Sequence, residues 1–214
     1  MQAMNIPLAP EPFGPIATPC DKCDAKCCKF YTVTITAFDL ARLVEFRKRE
    51  FCHRQNGVLL RHEAQSASLD FVTYKPASEV RSTMDHPFFL RKDGRLGEYF
   101  MCLKRDPEET CVLYSGGHLC SVHPARPLVC RIYPFRETET GAIGYKKKHR
   151  CPVEWKKSAK LVEEVKKKLA KQARELSEYG KICREWNAKF FHKSSFSDFV
   201  DFCYQKVKGV GETQ

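Results

Sequence analysis

Two cysteine-dense stretches, well separated along the chain, constrain what it can fold into more than any other feature. The first, CDKCDAKCC, places Cys20, Cys23, Cys27 and Cys28 within nine residues. The second, CLKRDPEETCVLYSGGHLCSVHPARPLVC, supplies Cys102, Cys111, Cys120 and Cys130, and Cys151 follows it. Twelve cysteines in 214 residues exceed ordinary usage but stay below the density of small disulfide scaffolds. The opening MQAMNIPLAPEPFGPIATPC has no basic start and no continuous apolar run, so it does not read as an export signal. No apolar run of about eighteen residues is present to span a bilayer. The expected compartment is therefore the cytoplasm, where thiols stay reduced. Clustered cysteines there point to metal binding or thiol chemistry rather than to a disulfide framework.

Thiolates are soft ligands that suit zinc or iron–sulfur clusters. Cys20 and Cys23 have the C-x2-C spacing that lets one tight turn present two sulfurs to one centre. Cys27 and Cys28 are adjacent, and their side chains are expected to diverge. They are then not both ordinary ligands of one tetrahedral ion, and a cluster suits them better than zinc. The candidate metal ligands are Cys20, Cys23, Cys27, Cys28, Cys102, Cys111, Cys120, Cys130 and Cys151. Nine thiols suffice for two sites, or for one site and free thiols; the alternative is that some are small buried hydrophobes. Cys183 and Cys203 sit beside Ile182 and Phe199 on apolar helical faces and read as core. The seven histidines form no H-x3-H or H-E-x-x-H. Only His118 and His123, flanking Cys120, merit testing as ligands. Arg126 and Arg131 lie in RPLVCR, where charge-assisted hydrogen bonds would temper an anionic thiolate centre. The block from Cys102 to Cys130 is poor in apolar periodicity, so losing a metal that ties the two stretches together should unfold that body.

The rest of the chain reads as α+β. Residues 1–19 hold five prolines and form an extended arm. YTVTIT alternates like a strand. TAFDLARLVEFRKRE opens with Thr36 and Asp39 in a capping-box arrangement and continues with helical apolar spacing. VLLRHEA and LDFVTY are strand candidates. FFLRKDGRLGEYFMCL is a hairpin turning at Asp93-Gly94, and TETGAIGY is a second. From Pro152 the pattern is helical, with Gly180 expected to interrupt or end the first helix. SFSDFVDFCYQKV is a last helix, followed by a loose tail. The expected organisation is an arm over 1–19, a cysteine-cluster domain over 20–151, a helical extension over 152–206 and a tail over 207–214.

The net charge of +11 is concentrated. Lys146 to Arg174 holds twelve Lys and Arg against three Glu, nine of those eleven positive charges. A basic helix of this kind is a solvated face, a surface for an acidic protein partner, or a nucleic-acid contact. Only Trp155 is interleaved well inside it, and the cations fall on several faces.

CDKCDAKCC, the TAFDLARL helix after it and CVLYSGGHLCSVHPARPLVCRIYPF together resemble the YkgJ-type cysteine-cluster family over roughly residues 20–136. The resemblance implies zinc or iron chelation. His123 stands where that family has an aromatic residue, so it is not carried over as a ligand. Flagellin lysine N-methylases share the signature in part of a longer chain, which implies an alternative as a metal-dependent enzyme. No Gly-rich strand-to-helix turn for a nucleotide-like cofactor is present. A further alternative is a zinc-stabilised adaptor that docks nucleic acid or an acidic partner through the basic helix.

Overall fold

The computed structural model describes residues 25–54 (without the side chains of 50–54), 70–80, 84–116, 120–152, 154–156, 158–190 and 195–209. The proline-rich arm, VLLRHEA, Cys20, Cys23 and His118 lie outside the described residues. The fold is α+β.

A single-turn helix, α1 (Lys26–Phe30), leads into extended chain and then α2 (Ala37–Arg54). Thr36 and Asp39 start α2 as the sequence suggests. The Asp39 N–H donates to Thr36 Oγ1 at 3.2 Å, and Asp39 Oδ2 accepts the Thr36 N–H at 3.1 Å. The apolar face of α2, from Ala37 to Val44, is buried.

Strands β1 (Val72–Pro76), β2 (Phe88–Lys92) and β3 (Arg95–Leu103) form an antiparallel sheet with β3 in the middle. The β2–β3 turn places Asp93 at φ 51° and Gly94 at φ 78°, the left-handed pair that a tight hairpin requires. YTVTIT does not form a full strand. Only Thr34 bridges to Cys102, with Ile35 N–H on Met101 O and Leu103 N–H on Val33 O, both at 2.9 Å. β2 covers the first half of one edge of β3, and this segment fills the short remainder.

The central block contains a 3-10 turn over 123–125 and a one-turn helix, α3 (Leu128–Ile132). The expected second hairpin follows as β4 (Phe135–Glu137) and β5 (Ile143–Tyr145). α4 (Ala159–Lys189) is 31 residues long, about 46 Å at 1.5 Å per residue. Ser158 caps it by accepting the Leu161 N–H at 3.2 Å. α5 (Phe196–Gly209) completes the chain, opened by the Ser195–Asp198 pair.

Gly180 does not end α4; the helix runs through it. Gly180 is buried, and a Cβ there would stand 2.2 Å from Cδ2 of His86. Close approach of the His86 ring is therefore the reason for glycine at a position where it costs about 1 kcal/mol of helix propensity. Gly180→Ala is expected to raise stability by about 1 kcal/mol in a His86→Ala background and not in the wild type. Urea unfolding of the four proteins checks this, and equal effects in both backgrounds would refute it.

The main core joins α2, the sheet, the C-terminal half of α4 and α5. Phe88 stacks on Phe199 with ring centroids 3.9 Å apart, and Trp186 Nε1 donates to Phe89 O at 2.9 Å. Leu113, Val122 and Ala125 of the cysteine block belong to this core. A smaller core gathers Leu128, Ile132, Phe135, Ile143 and Val165, so the N-terminal half of α4 packs on α3 and the second hairpin. The Tyr145 hydroxyl clips that hairpin to the approach of α4: it donates to Trp155 O at 3.2 Å and accepts the Trp155 N–H at 3.1 Å.

A buried charge network lies between the two cores. Arg42 donates to Glu175 through Nη1 at 2.6 Å and Nη2 at 2.8 Å, and to Asp39 Oδ1 at 2.5 Å. All three side chains are at most 5% exposed. Asp39 Oδ1 also accepts the N–H of Leu128, the first residue of α3, at 2.9 Å. Burial opposes the charge on Arg42, but the two carboxylates more than offset it and hold the guanidinium charged.

Candidate metal centre

The thiols meet where α1, the 111–120 loop and α3 converge. Ala25 enters α1 with φ 59°, and Cys28 N–H closes on Ala25 O at 2.8 Å. The resulting turn brings Cys27 and Cys28 together. Their thiols hydrogen-bond to each other, so the side chains converge rather than diverge, because a helical turn replaces the extended chain that separates adjacent residues. Cys111 N–H donates to Cys28 O at 2.9 Å, which joins the central block to the first cysteine stretch. Tyr114 and Cys120 pair across the 111–120 loop, and the Ser121 N–H reaches Leu113 O at 2.9 Å. Cys130 sits in α3, with its N–H on Pro127 O at 2.9 Å.

These five thiols share one electrostatic neighbourhood. Cys28 feels Cys27, Cys130 and Cys111; Cys111 feels Cys120 and Cys27; Cys130 feels Cys27, Cys111 and Cys120. The Cys28 hydrogen bond lowers Cys27 to about 7, against burial and with help from the Arg126 charge. The same hydrogen bond, then burial and the neighbouring thiols, push Cys28 up. Burial raises Cys111 and Cys130, with Arg126 opposing it at Cys130. The group thus holds one thiolate-prone sulfur, Cys27, beside three thiols held above their ordinary range, Cys28, Cys111 and Cys130. Among the described residues no three Cys, His, Asp or Glu side chains stand as a finished metal-holding set. The donor chemistry nevertheless fits a thiophilic metal. All five donors are sulfur, a backbone hydrogen bond ties two of their three segments, and a cation stands beside them.

The two arginines have different surroundings. Arg126 acts on Cys27 and Cys130. Arg131 Nε donates to Arg126 O at 2.6 Å and Nη2 to Pro124 O at 2.8 Å, fastening the turn that carries Arg126. His123 begins that turn, and burial followed by the charges of Arg126 and Arg131 lowers its pKa, keeping the imidazole neutral.

Cys102 is placed elsewhere. It lies fully buried in β3, its Sγ donating to Phe100 O at 3.4 Å, and burial lifts it to about 12. It acts on Tyr179, beside Cys183 and Cys203, in the main core. Cys183 and Cys203 are fully buried there as the helical pattern suggests. Cys151 ends a strap over 146–151. The Tyr133 hydroxyl accepts the Arg150 N–H and donates to Tyr31 Oη at 3.4 Å, and Tyr31 donates to Lys148 O at 3.2 Å. Arg150 also lies over the Phe30 ring, 4.6 Å from its centroid. The strap therefore rests on α1, with Lys146 close enough to feel Cys130.

Sequence reasoning missed Tyr31, Tyr133 and Arg105. Arg105 donates to Lys29 O and pairs with Glu109 at 3.1 Å, bracing α1 from the other side. None of the three carries a motif signal beyond its nearness to a cysteine.

The sequence matches, over residues 19–183, a family described as "Putative zinc- or iron-chelating domain". The chain belongs to the CxxCxxCC family. The match takes in both cysteine stretches and continues along α4 to Cys183, beyond roughly residue 136, where the resemblance legible in the sequence ends. The family description supports metal binding in this CxxCxxCC protein, with zinc or iron as the metal. No curated protein and no solved structure matches. Among the described residues no helix is long and apolar enough to cross a membrane.

Proposed function

We propose that this CxxCxxCC protein is a cytoplasmic carrier of an iron–sulfur cluster held by Cys27, Cys28, Cys111, Cys120 and Cys130. Cys20 and Cys23 complete the ligand supply from the first stretch. The observation that carries this reading is that five thiols from three chain segments lie within electrostatic reach of one another, with Arg126 beside Cys27 and Cys130. Five sulfurs exceed the four that a structural zinc ion takes, and the hydrogen-bonded Cys27–Cys28 pair suits a polynuclear thiolate centre. A bound cluster supplies one-electron transfer. Arg126 offsets the negative charge of the thiolates, and Arg131 holds it in place through its backbone. Cys102, raised and enclosed in β3, belongs to the core in this reading. Cys151 stands in the covering strap.

The basic helix supports a solvated face. Lys167, Lys168, Lys181 and Lys189 pair with Glu163, Glu164, Glu178 and Glu185 one turn away on α4 itself.

Purification without air, followed by iron, zinc and acid-labile sulfide analysis, tests the assignment. Iron and sulfide in matching amounts are expected, with visible thiolate-to-iron absorption lost in Cys130→Ser. A colourless protein with stoichiometric zinc and no sulfide would replace the cluster by zinc.

A further inference from the structure

We infer that Asp39 is a positioning residue for the thiol site, and that the buried Arg42–Glu175 fork is what aims it. This rests on the metal-binding reading above.

The Pro124–Arg131 turn carries both Arg126 and Cys130. Arg131 fastens it to itself through Arg126 O and Pro124 O. A polar tie from it to the main body runs through Asp39, whose Oδ1 takes the Leu128 N–H at 2.9 Å, two residues before Cys130. The same oxygen takes Arg42 Nη2 at 2.5 Å, while Oδ2 takes the Thr36 N–H and hydroxyl, both at 3.1 Å. Both oxygens are committed, so the carboxylate cannot rotate without breaking several bonds at once. Arg42 is in turn fixed by Glu175 of α4 through two parallel bonds. A chain of buried hydrogen bonds thus runs from α4 through α2 into the turn that presents Cys130. Neither Asp39 nor Glu175 touches a thiol. Their effect on the metal is through the position of Cys130, as outer partners of metal ligands act.

The test uses the full chain, purified without air with its metal, in four forms: wild type, Asp39→Asn, Glu175→Gln and Phe199→Leu. The last is a core change beside Phe88 and Trp186 that lowers stability without involving the network. Metal release is followed with ferrozine for iron or 4-(2-pyridylazo)resorcinol for zinc, alongside the thermal midpoint and the absorption spectrum of the bound form. Asp39→Asn is expected to release metal about tenfold faster with a shifted absorption band. Glu175→Gln, which frees Arg42 to draw Asp39 off the Leu128 N–H, does the same by a smaller factor. Phe199→Leu should lower the midpoint and leave release unchanged. Release from Asp39→Asn at the wild-type rate, or equal acceleration in Phe199→Leu, would overturn the positioning role while leaving metal binding intact. Wild type without bound metal would overturn both. Should Asp39→Asn not fold, Glu175→Gln decides, with faster release supporting the role and an unchanged rate refuting it.

Discussion

Glu175→Ala is expected to destabilise the fold by about 3 kcal/mol, one of the largest effects available from a single side chain here. The change strands Arg42, only 3% exposed, with half of its counter-charge gone. Removing one partner of a buried pair costs about 3–5 kcal/mol because the charge left behind has no water to turn to. The lower end applies because Asp39 still faces the guanidinium. Arg42→Met combined with Glu175→Leu removes that pair and should recover part of the loss; the Asp39 carboxylate left behind still accepts from Thr36 and the Leu128 N–H. Urea unfolding of the single and double variants reads this directly. A double variant no more stable than Glu175→Ala would show that Asp39 without Arg42 costs as much as Arg42 without Glu175.

Removing the metal is expected to release a lobe rather than the whole chain. A four-ligand thiolate zinc site in a small domain is worth about 10–16 kcal/mol, as much as a typical domain's entire stability of about 5–15 kcal/mol. The sequence alone suggests that the body would unfold, because Cys102 to Cys130 has little apolar periodicity. In the fold, Leu113, Val122 and Ala125 insert from that block into a core otherwise built by α2, the sheet, α4 and α5. Of the site thiols only Cys111 is a member of that core, with Cys28 and Cys120 packed against its edge, and α2, the sheet, α4 and α5 supply most of the rest. Hydrogen exchange before and after chelation should therefore show lost protection over Cys28–Tyr31 and Cys111–Cys130. β3 and the C-terminal half of α4 should keep theirs. Uniform loss across β3 and α4 would show instead that the metal holds the entire fold.

The meeting of the two cysteine stretches was legible because clustered thiols in such numbers have few other uses; that Cys102, Leu113, Val122 and Ala125 of the second stretch are core was not. The cap at Thr36 and the Asp93-Gly94 turn were legible for a local reason: each is decided within four residues. Other features depend on contacts distant in sequence. Cys27 and Cys28 converge because Ala25 adopts a left-handed conformation, which its identity does not advertise. Gly180 looks like a helix end until His86 is seen against it. YTVTIT alternates like a strand but finds only the short part of the β3 edge that β2 leaves open. Arg42 and Glu175 look like members of solvated helix faces, and 133 residues separate them.

The long helix α4 has a consequence for any shortened form of this chain. Its first turns close the small core through Val165, its middle supplies Glu175, and its last turns bring Tyr179, Cys183 and Trp186 to the main core. A fragment that stops after Cys151 would keep all nine candidate sulfurs and still lack the beam that sets α2 and α3 at their working distance. Such a fragment is expected to bind metal as a loose peptide does, without a defined stoichiometry. Cysteine content alone is thus a poor guide to where this protein can be cut.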